Sequence, residues 1–220
     1  LTIDVEALKT WDGPLVFPNP NAPTGLSLPL EMIEALVAHN PDRLVLIDEA
    51  YYGFGATSAV SLINKYDNML ITRSFSKSHA LAGLRVGYAL AHPTLIEGLR
   101  RVKDSFNSYP VDAYAQCVAA AAVSDLDWFA KASATIMKNR AELAEGLTQL
   151  NFSVMPSDAN FVLASHPKHT GLALGGYLKT QNILVRSWSG DHLLPWVRIT
   201  VGTKEQQARL LSTLATYLST

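Results

Sequence analysis

The chain carries a single cysteine, Cys117, so no internal disulfide is available and a reducing cytoplasm is the expected setting. Neither charge is in surplus. The formal net charge of −1 gives no electrostatic case for a nucleic-acid partner or an anionic membrane. Long apolar runs are missing as well: the stretch 117–123 is far too short to cross a bilayer, so no membrane span is expected. Neither a GxGxxG nor a P-loop occurs, which removes the sequence case for dinucleotide or ATP binding. His166 and His169 stand in HPKH, but Pro167 argues for a loop and no carboxylate or thiol is near. They are expected as surface residues, and no metal site is expected. Internal repeats and low-complexity segments are absent.

With 48% hydrophobic and 17% charged residues, the composition is that of an ordered globular chain able to bury a substantial core, in one domain or two. Leu1 is not an initiator methionine, and residues 1–9 read like the middle of a protein, so a fragment is expected. Residues 2–10 suggest a short amphipathic piece, followed by a turn at Asp12-Gly13-Pro14. Residues 15–17 form a short buried strand that runs into PNPNAPTG (residues 18–25). Three prolines and a glycine in eight residues exclude helix or central strand, leaving a rigid loop at a strand end. Ser27 is the predicted N-cap of the next helix, with Pro29 in its first turn and Leu30, Ile33, Leu36 and Val37 on one face.

The continuous apolar run 44–47 predicts a strand covered on both sides, stopping at Asp48. Residues 62–65 are predicted helical, 69–72 and 86–91 strands, and 94–106 a helix with Leu95, Leu99 and Val102 on one face. This rhythm predicts an α/β fold, a mostly parallel sheet wrapped by helices. Beyond residue 113 the texture changes. Helices are predicted over 113–124 and 127–150, the second with Asn139, Arg140, Glu142 and Glu145 on its wet side. Strands follow over 152–155, 160–164, 183–186 and 197–201, with helices over 172–180 and 204–219. The expected organisation is therefore part of a large domain over 1–112, connecting helices over 113–150, and a smaller C-terminal α+β domain over 151–220.

The stretch TRSFSKSHALAGLRVGY (residues 72–88) organises the rest. It leaves an apolar run through a Ser-rich segment that presents Lys77, turns at Gly83, and sets Arg85 before the next apolar run. A primary amine and a guanidinium thus share one short connection with the hydroxyls of Ser74 and Ser76. Such a connection can hold a carbonyl compound through Lys77 and its phosphate through Arg85 and the hydroxyls. A lone lysine would more simply be a solvated charge. Two other strand ends also carry polar groups: Asn21 in its Pro-rich loop, and Asp48 with Tyr51. In open α/β sheets, ligands sit at such strand ends. Asp48 alone is as readily a cap for the following turn. Ser74 or Ser76 as an acyl-transfer nucleophile lacks a nucleophile elbow, and the local spacing does not show whether His79 points inward. Taken together, a lysine, a carboxylate and an Arg/Ser anion site form the set that pyridoxal 5′-phosphate requires.

The motifs NPNAPTG (19–25), DEAYYGF (48–54), SFSK (74–77), AGLRVGY (82–88) and VRITVGT (197–203) resemble the fold-type I PLP-dependent aminotransferases of class I and II, over the whole chain. RVKDSFNSYPVDAYAQ (101–116) and ILVRSWSG (183–190) look most like the histidinol-phosphate aminotransferases within that class. The resemblance implies Lys77 as the Schiff-base lysine, Asp48 as partner of the pyridine nitrogen, and Tyr51 near the ring oxygen. It implies Ser74, Ser76 and Arg85 at the phosphate, Arg198 at the carboxylate of glutamate, and Arg186 as a candidate for the substrate phosphate; either arginine read alone is equally a salt-bridged surface residue. The implied reaction moves an amino group between histidinol phosphate and 2-oxoglutarate in histidine biosynthesis, in a cytoplasmic homodimer.

Two departures from the family pattern stand out. The residue before the Pro of PTG, usually Asn, is Ala22, and Asn21 is the available amide. The family's large N-terminal segment is lacking, with its substrate-covering arm, further phosphate donors, a ring-stacking aromatic and a tyrosine that crosses the dimer. The chain alone is therefore expected to bind PLP weakly and catalyse poorly. The alternatives are a related PLP enzyme (an aromatic aminotransferase or a phosphothreonine decarboxylase-like one) or a catalytically inactive truncated fragment. Arg198 at a carboxylate favours transamination over decarboxylation.

Overall fold

The computed structural model describes residues 2–219, which divide into two compact units: residues 2–21 with 27–132, and residues 22–26 with 133–219. The division falls inside one long helix, between Ala132 and Ser133.

In the first unit a short helix α1 (Val5–Lys9) precedes strand β1 (Leu15–Pro18). Helix α2 (Leu30–His39) buries Ile33, Leu36 and Val37 completely, the face that its apolar spacing predicts. Ser27 does not cap it. The N-cap position is Pro29, with no side-chain cap, and the chain before it is held by Leu28 N donating to Asn19 Oδ1 at 2.7 Å. Strands β2 (Val45–Asp48), β3 (Met69–Ser74) and β4 (Gly87–Ala91) complete a sheet of order β1-β2-β3-β4. The first three are parallel and β4 is antiparallel to β3.

Alternate residues Leu15, Phe17, Val45, Ile47, Met69 and Ile71 pack on α2 to form the core. The other face is less covered than the run 44–47 suggested. Val16 is 70% exposed and Leu46 only half-buried. The segment predicted helical over 62–65 is instead one 3₁₀ turn, Ala59–Leu62, capped by Ser58. Helix α3 (Pro93–Phe106) forms where expected but buries no residue, with Leu99 and Val102 both exposed. Helix α4 (Ala113–Ser124) follows, N-capped by Asp112.

The second unit takes the C-terminal part of α5 (Leu126–Gln149) and a sheet of order β5-β6-β8-β7, from β5 (Ser153–Val154), β6 (Phe161–Ser165), β7 (Arg186–Ser187) and β8 (Trp196–Thr200). Every pairing in it is antiparallel. Helices α6 (Gly171–Thr180) and α7 (Lys204–Leu218) supply Leu174, Leu178, Leu210 and Leu214 to a core shared with Leu143 and Leu147 of α5. A Thr203–Gln206 capping box starts α7.

The wet side assigned to α5 needs correction. Asn139 is buried and donates to the Gly202 carbonyl at 3.1 Å, while Arg140 donates to the Ala159 carbonyl at 2.7 Å. These polar side chains satisfy loop carbonyls that no ladder reaches, so their polarity reflects buried partners and not solvent. Glu145 is exposed as expected.

Candidate active site

Because β1, β2 and β3 run parallel, their C-terminal ends share one edge of the sheet, and the register sets Pro18, Asp48 and Thr72 side by side. β4 runs the opposite way, so its first residue, Gly87, faces Ser74 and the connection carrying Arg85 returns to that edge. A Cβ on Gly87 would stand 2.8 Å from the Arg73 carbonyl, so this close pairing requires glycine.

Asp48 is half-buried, and it accepts from Ala50 N at 3.0 Å and from Thr72 Oγ1 at 3.1 Å, both on Oδ1. The Asx-type bond to Ala50 shows that the turn-capping role is real. Both bonds hold the carboxylate through the same oxygen. The next turn returns through Gly53, at φ +98°, where a Cβ would meet Phe129 at 2.7 Å. That turn carries Tyr51 under the next connection, with Lys77 Nζ 5.7 Å from its ring centroid. Lys77 itself is exposed. Ser74 Oγ accepts from Ser76 N at 3.0 Å, which curls the chain just before Lys77. Arg85 adopts the left-handed conformation, φ 56°, after a 3₁₀ turn (Ala82–Leu84), and donates to the Ala82 carbonyl at 3.1 Å. Asn21 lies in the loop after β1, half-buried.

In the second unit Arg186 and Arg198 are directly opposite each other on β7 and β8. Opposed like charges on one sheet face repel. The Arg198 guanidinium rests over the Phe161 ring at 4.9 Å, and Arg186 lies 5.9 Å from the Trp188 ring.

Several residues at the first sheet edge escaped the sequence reading. Glu49, 2% exposed, accepts from Ser58 Oγ, from Ala59 N at 2.7 Å and from Arg73 Nε at 2.9 Å. The Arg73 guanidinium lies 3.6 Å above the Tyr52 ring. Burial by itself would lower the pKa of Arg73, but its hydrogen bond with Tyr88 and the charge of Glu49 outweigh that and raise it. Beside it, His79 packs between Phe75 and Phe129, at 4.9 and 5.2 Å between ring centroids. Burial, and then the Arg73 charge, lower its pKa and favour the neutral imidazole. His79 is thus part of an aromatic belt. Asn19 was also missed. It is buried, and its Nδ2 has no hydrogen-bond partner among the described residues. For Glu49 and Arg73 the only signal in the sequence was position, next to Asp48 and Ser74.

His166 and His169 lie in the turn between β6 and α6, their rings 5.1 Å apart. No group of three or more metal-ligating side chains occurs among the described residues, and no helix is long and apolar enough to cross a membrane.

One edge of this sheet thus carries an amine, a carboxylate, a phenol and a guanidinium, at the strand ends where open α/β sheets bind ligands. The chain belongs to the aminotransferase class I and II family, which it matches over residues 2–214. Histidinol-phosphate aminotransferase of Gluconacetobacter diazotrophicus is 49% identical over 219 residues, 100% of this chain and 62% of that protein. Histidinol-phosphate aminotransferase 2 of Gluconobacter oxydans is 50% identical over 217 residues, 99% of this chain and 61% of that protein. The solved histidinol-phosphate aminotransferase from Sinorhizobium meliloti, in complex with pyridoxal 5′-phosphate, has a TM-score of 0.88 at 24% identity, covering 98% of this chain and 61% of that one, and shares the fold. The chain thus spans about three-fifths of the length of the relatives that it matches.

Proposed function

We propose that this chain is the greater part of a PLP-dependent aminotransferase that moves an amino group between histidinol phosphate and 2-oxoglutarate. The observation that carries the reading is the register at the first sheet edge, where Asp48 stands between Pro18 and Thr72 and the next connection presents Lys77 over Tyr51. The donor set suits the cofactor. Asp48 keeps Oδ2 for a protonated ring nitrogen, since Ala50 and Thr72 bond to Oδ1. Tyr51 and Asn21 supply a phenol and an amide for the ring oxygen, and Ser74, Ser76 and Arg85 supply donors for the phosphate.

When bound, pyridoxal 5′-phosphate supplies an electron-accepting ring that stabilises negative charge developing on the substrate α-carbon. Lys77 Nζ would hold the cofactor carbonyl and would act as the base for the α-carbon proton. Arg198 binds the substrate carboxylate, and Arg186 binds the phosphate of the amino donor. The opposed guanidiniums and the 49% identical relative both support a substrate pair of this charge. In the whole protein we propose residues 1–112 as part of the large domain, 113–150 as connecting helices and 151–220 as the small domain, in a cytoplasmic homodimer.

The test is an intact mass and a visible spectrum after adding PLP, before and after borohydride reduction. A reduced adduct mapped to Lys77 is the expected result. An adduct spread over surface lysines, or none from a chain restored to the length of its relatives, would overturn the reading.

A further inference from the structure

We propose that the buried Glu49–Arg73 ion pair is a positioning device, which sets Asp48 and Tyr51 of one strand end against Lys77 of the next. This rests on the reading that Asp48 and Lys77 serve one cofactor.

Each member of the pair is the immediate neighbour of a residue proposed for the cofactor: Glu49 follows Asp48, and Arg73 precedes Ser74. The β2–β3 ladder ends there, with Glu49 N donating to the Thr72 carbonyl at 2.8 Å. Beyond that bond the chain runs as two loops, 50–58 and 75–81, with no strand pairing between them. The ion pair continues the connection where the ladder stops. Glu49 Oε2 meets Arg73 Nε and Nη2, each at 2.9 Å, and Oε1 receives Ala59 N at the far end of the first loop. Ser58 bonds both partners, donating to Glu49 and accepting from Arg73 Nη2 at 2.6 Å.

The rings around the pair tie both loops to it. Tyr52, next to Tyr51, lies under the guanidinium and stacks on Phe129 at 5.8 Å. Phe129 contacts His79, His79 contacts Phe75, and Phe75 contacts Tyr88 at 5.5 Å, so the belt holds the chain two residues before and two residues after Lys77. A buried ion pair adds little stability over an apolar pair of the same volume. Its distinct contribution is direction. Arginine's planar fork, held on β3, can satisfy Glu49, Ser58 and the Tyr52 face only with loop 50–58 in one arrangement. Tyr52 passes that arrangement through Phe129 to His79 in the second loop. Lysine would keep the charge and lose that geometry.

The experiment compares Glu49→Gln, Arg73→Lys and the double variant Glu49→Gln/Arg73→Met with the unchanged chain, well below each melting temperature. Two readouts are taken on the same samples: hydrogen exchange by peptide, and the fraction of Lys77 trapped by PLP and borohydride. Exchange should rise about tenfold in 50–58 and 75–81 together, with 45–48 and 69–72 unchanged. Trapping at Lys77 per folded molecule should fall about tenfold, and Arg73→Lys should not rescue it. A lower melting temperature with wild-type trapping, or exchange that rises everywhere alike, overturns the proposal and leaves a merely structural pair. Should either single variant fail to fold, the double variant, which buries no unpaired charge, decides it by the same readouts. Should PLP reach Lys77 neither in the unchanged chain nor in one restored to the length of its relatives, the cofactor reading fails separately, and exchange still decides whether the pair orders both loops.

Discussion

Asp48 has two tasks divided between its two oxygens. Oδ1 closes the turn to Ala50 and receives Thr72, so it is a structural acceptor, while a proton on a bound ring nitrogen would need Oδ2 and its negative charge. Asn in its place keeps the Oδ1 contacts and loses the charge. Asp48→Asn should therefore fold like the unchanged protein by near-UV circular dichroism and bind PLP more weakly by about 2 kcal/mol, roughly 30-fold, the scale of one charge-assisted hydrogen bond. Equal affinity in a PLP titration would remove Asp48 from the cofactor. The places of Asp48 and Lys77 at strand ends were legible in the sequence because each follows a short apolar run that reads as a buried strand. Glu49 and Arg73 were not legible, since a carboxylate and a guanidinium 24 residues apart carry no mark of pairing until β2 and β3 lie side by side.

At the scale of elements, hydrophobic spacing located β1, β2, β3, α2 and α7 within a residue or two. It failed where polarity had a buried cause, as for Asn139 and Arg140 on α5. The turn 166–169 is a third kind of case: the sequence made it surface, and the structure gives it a packed aromatic stack. His166 touches Phe152 and His169, and His169 touches Tyr217, which stacks on Tyr177. His166 Nδ1 accepts from Lys168 N at 3.3 Å, a bond that needs the neutral ring. Burial first, then the charges of His169 and Lys168, lower its pKa from the ordinary 6.5. The folded state therefore binds fewer protons than the unfolded one, so stability from this turn is complete above the unfolded pKa, near 6.5, and is lost as pH falls below it toward the lowered value. The thermal stability of residues 133–219 should accordingly drop on acidification through that window. His166→Phe, which keeps the ring contact and cannot charge, should flatten the drop. An unchanged pH profile in that variant would show that His166 is not its source.

At the scale of the molecule, the chain builds two hydrophobic cores with no residue in common, one around β1–β3 and α2 and the other around β6, β8, α6 and α7. A chain with two such cores need not unfold in one step. Leu174 is fully buried in the second core, on α6 against β8, and a Leu→Ala change at such a site costs about 2–5 kcal/mol. If each core is its own cooperative unit, Leu174→Ala should speed hydrogen exchange across 133–219 by about 30-fold or more, the equivalent of 2 kcal/mol. Residues 15–17, 45–48 and 69–72 should keep wild-type protection. Equal loss in both units would instead mean that they open together, as one cooperative body. The distinction bears on function, because the residues proposed for the cofactor are in one unit and the two arginines proposed for the substrate are in the other. Independent units would let Leu174→Ala weaken substrate binding while PLP trapping at Lys77 stays at the wild-type level, and both can be measured on one preparation.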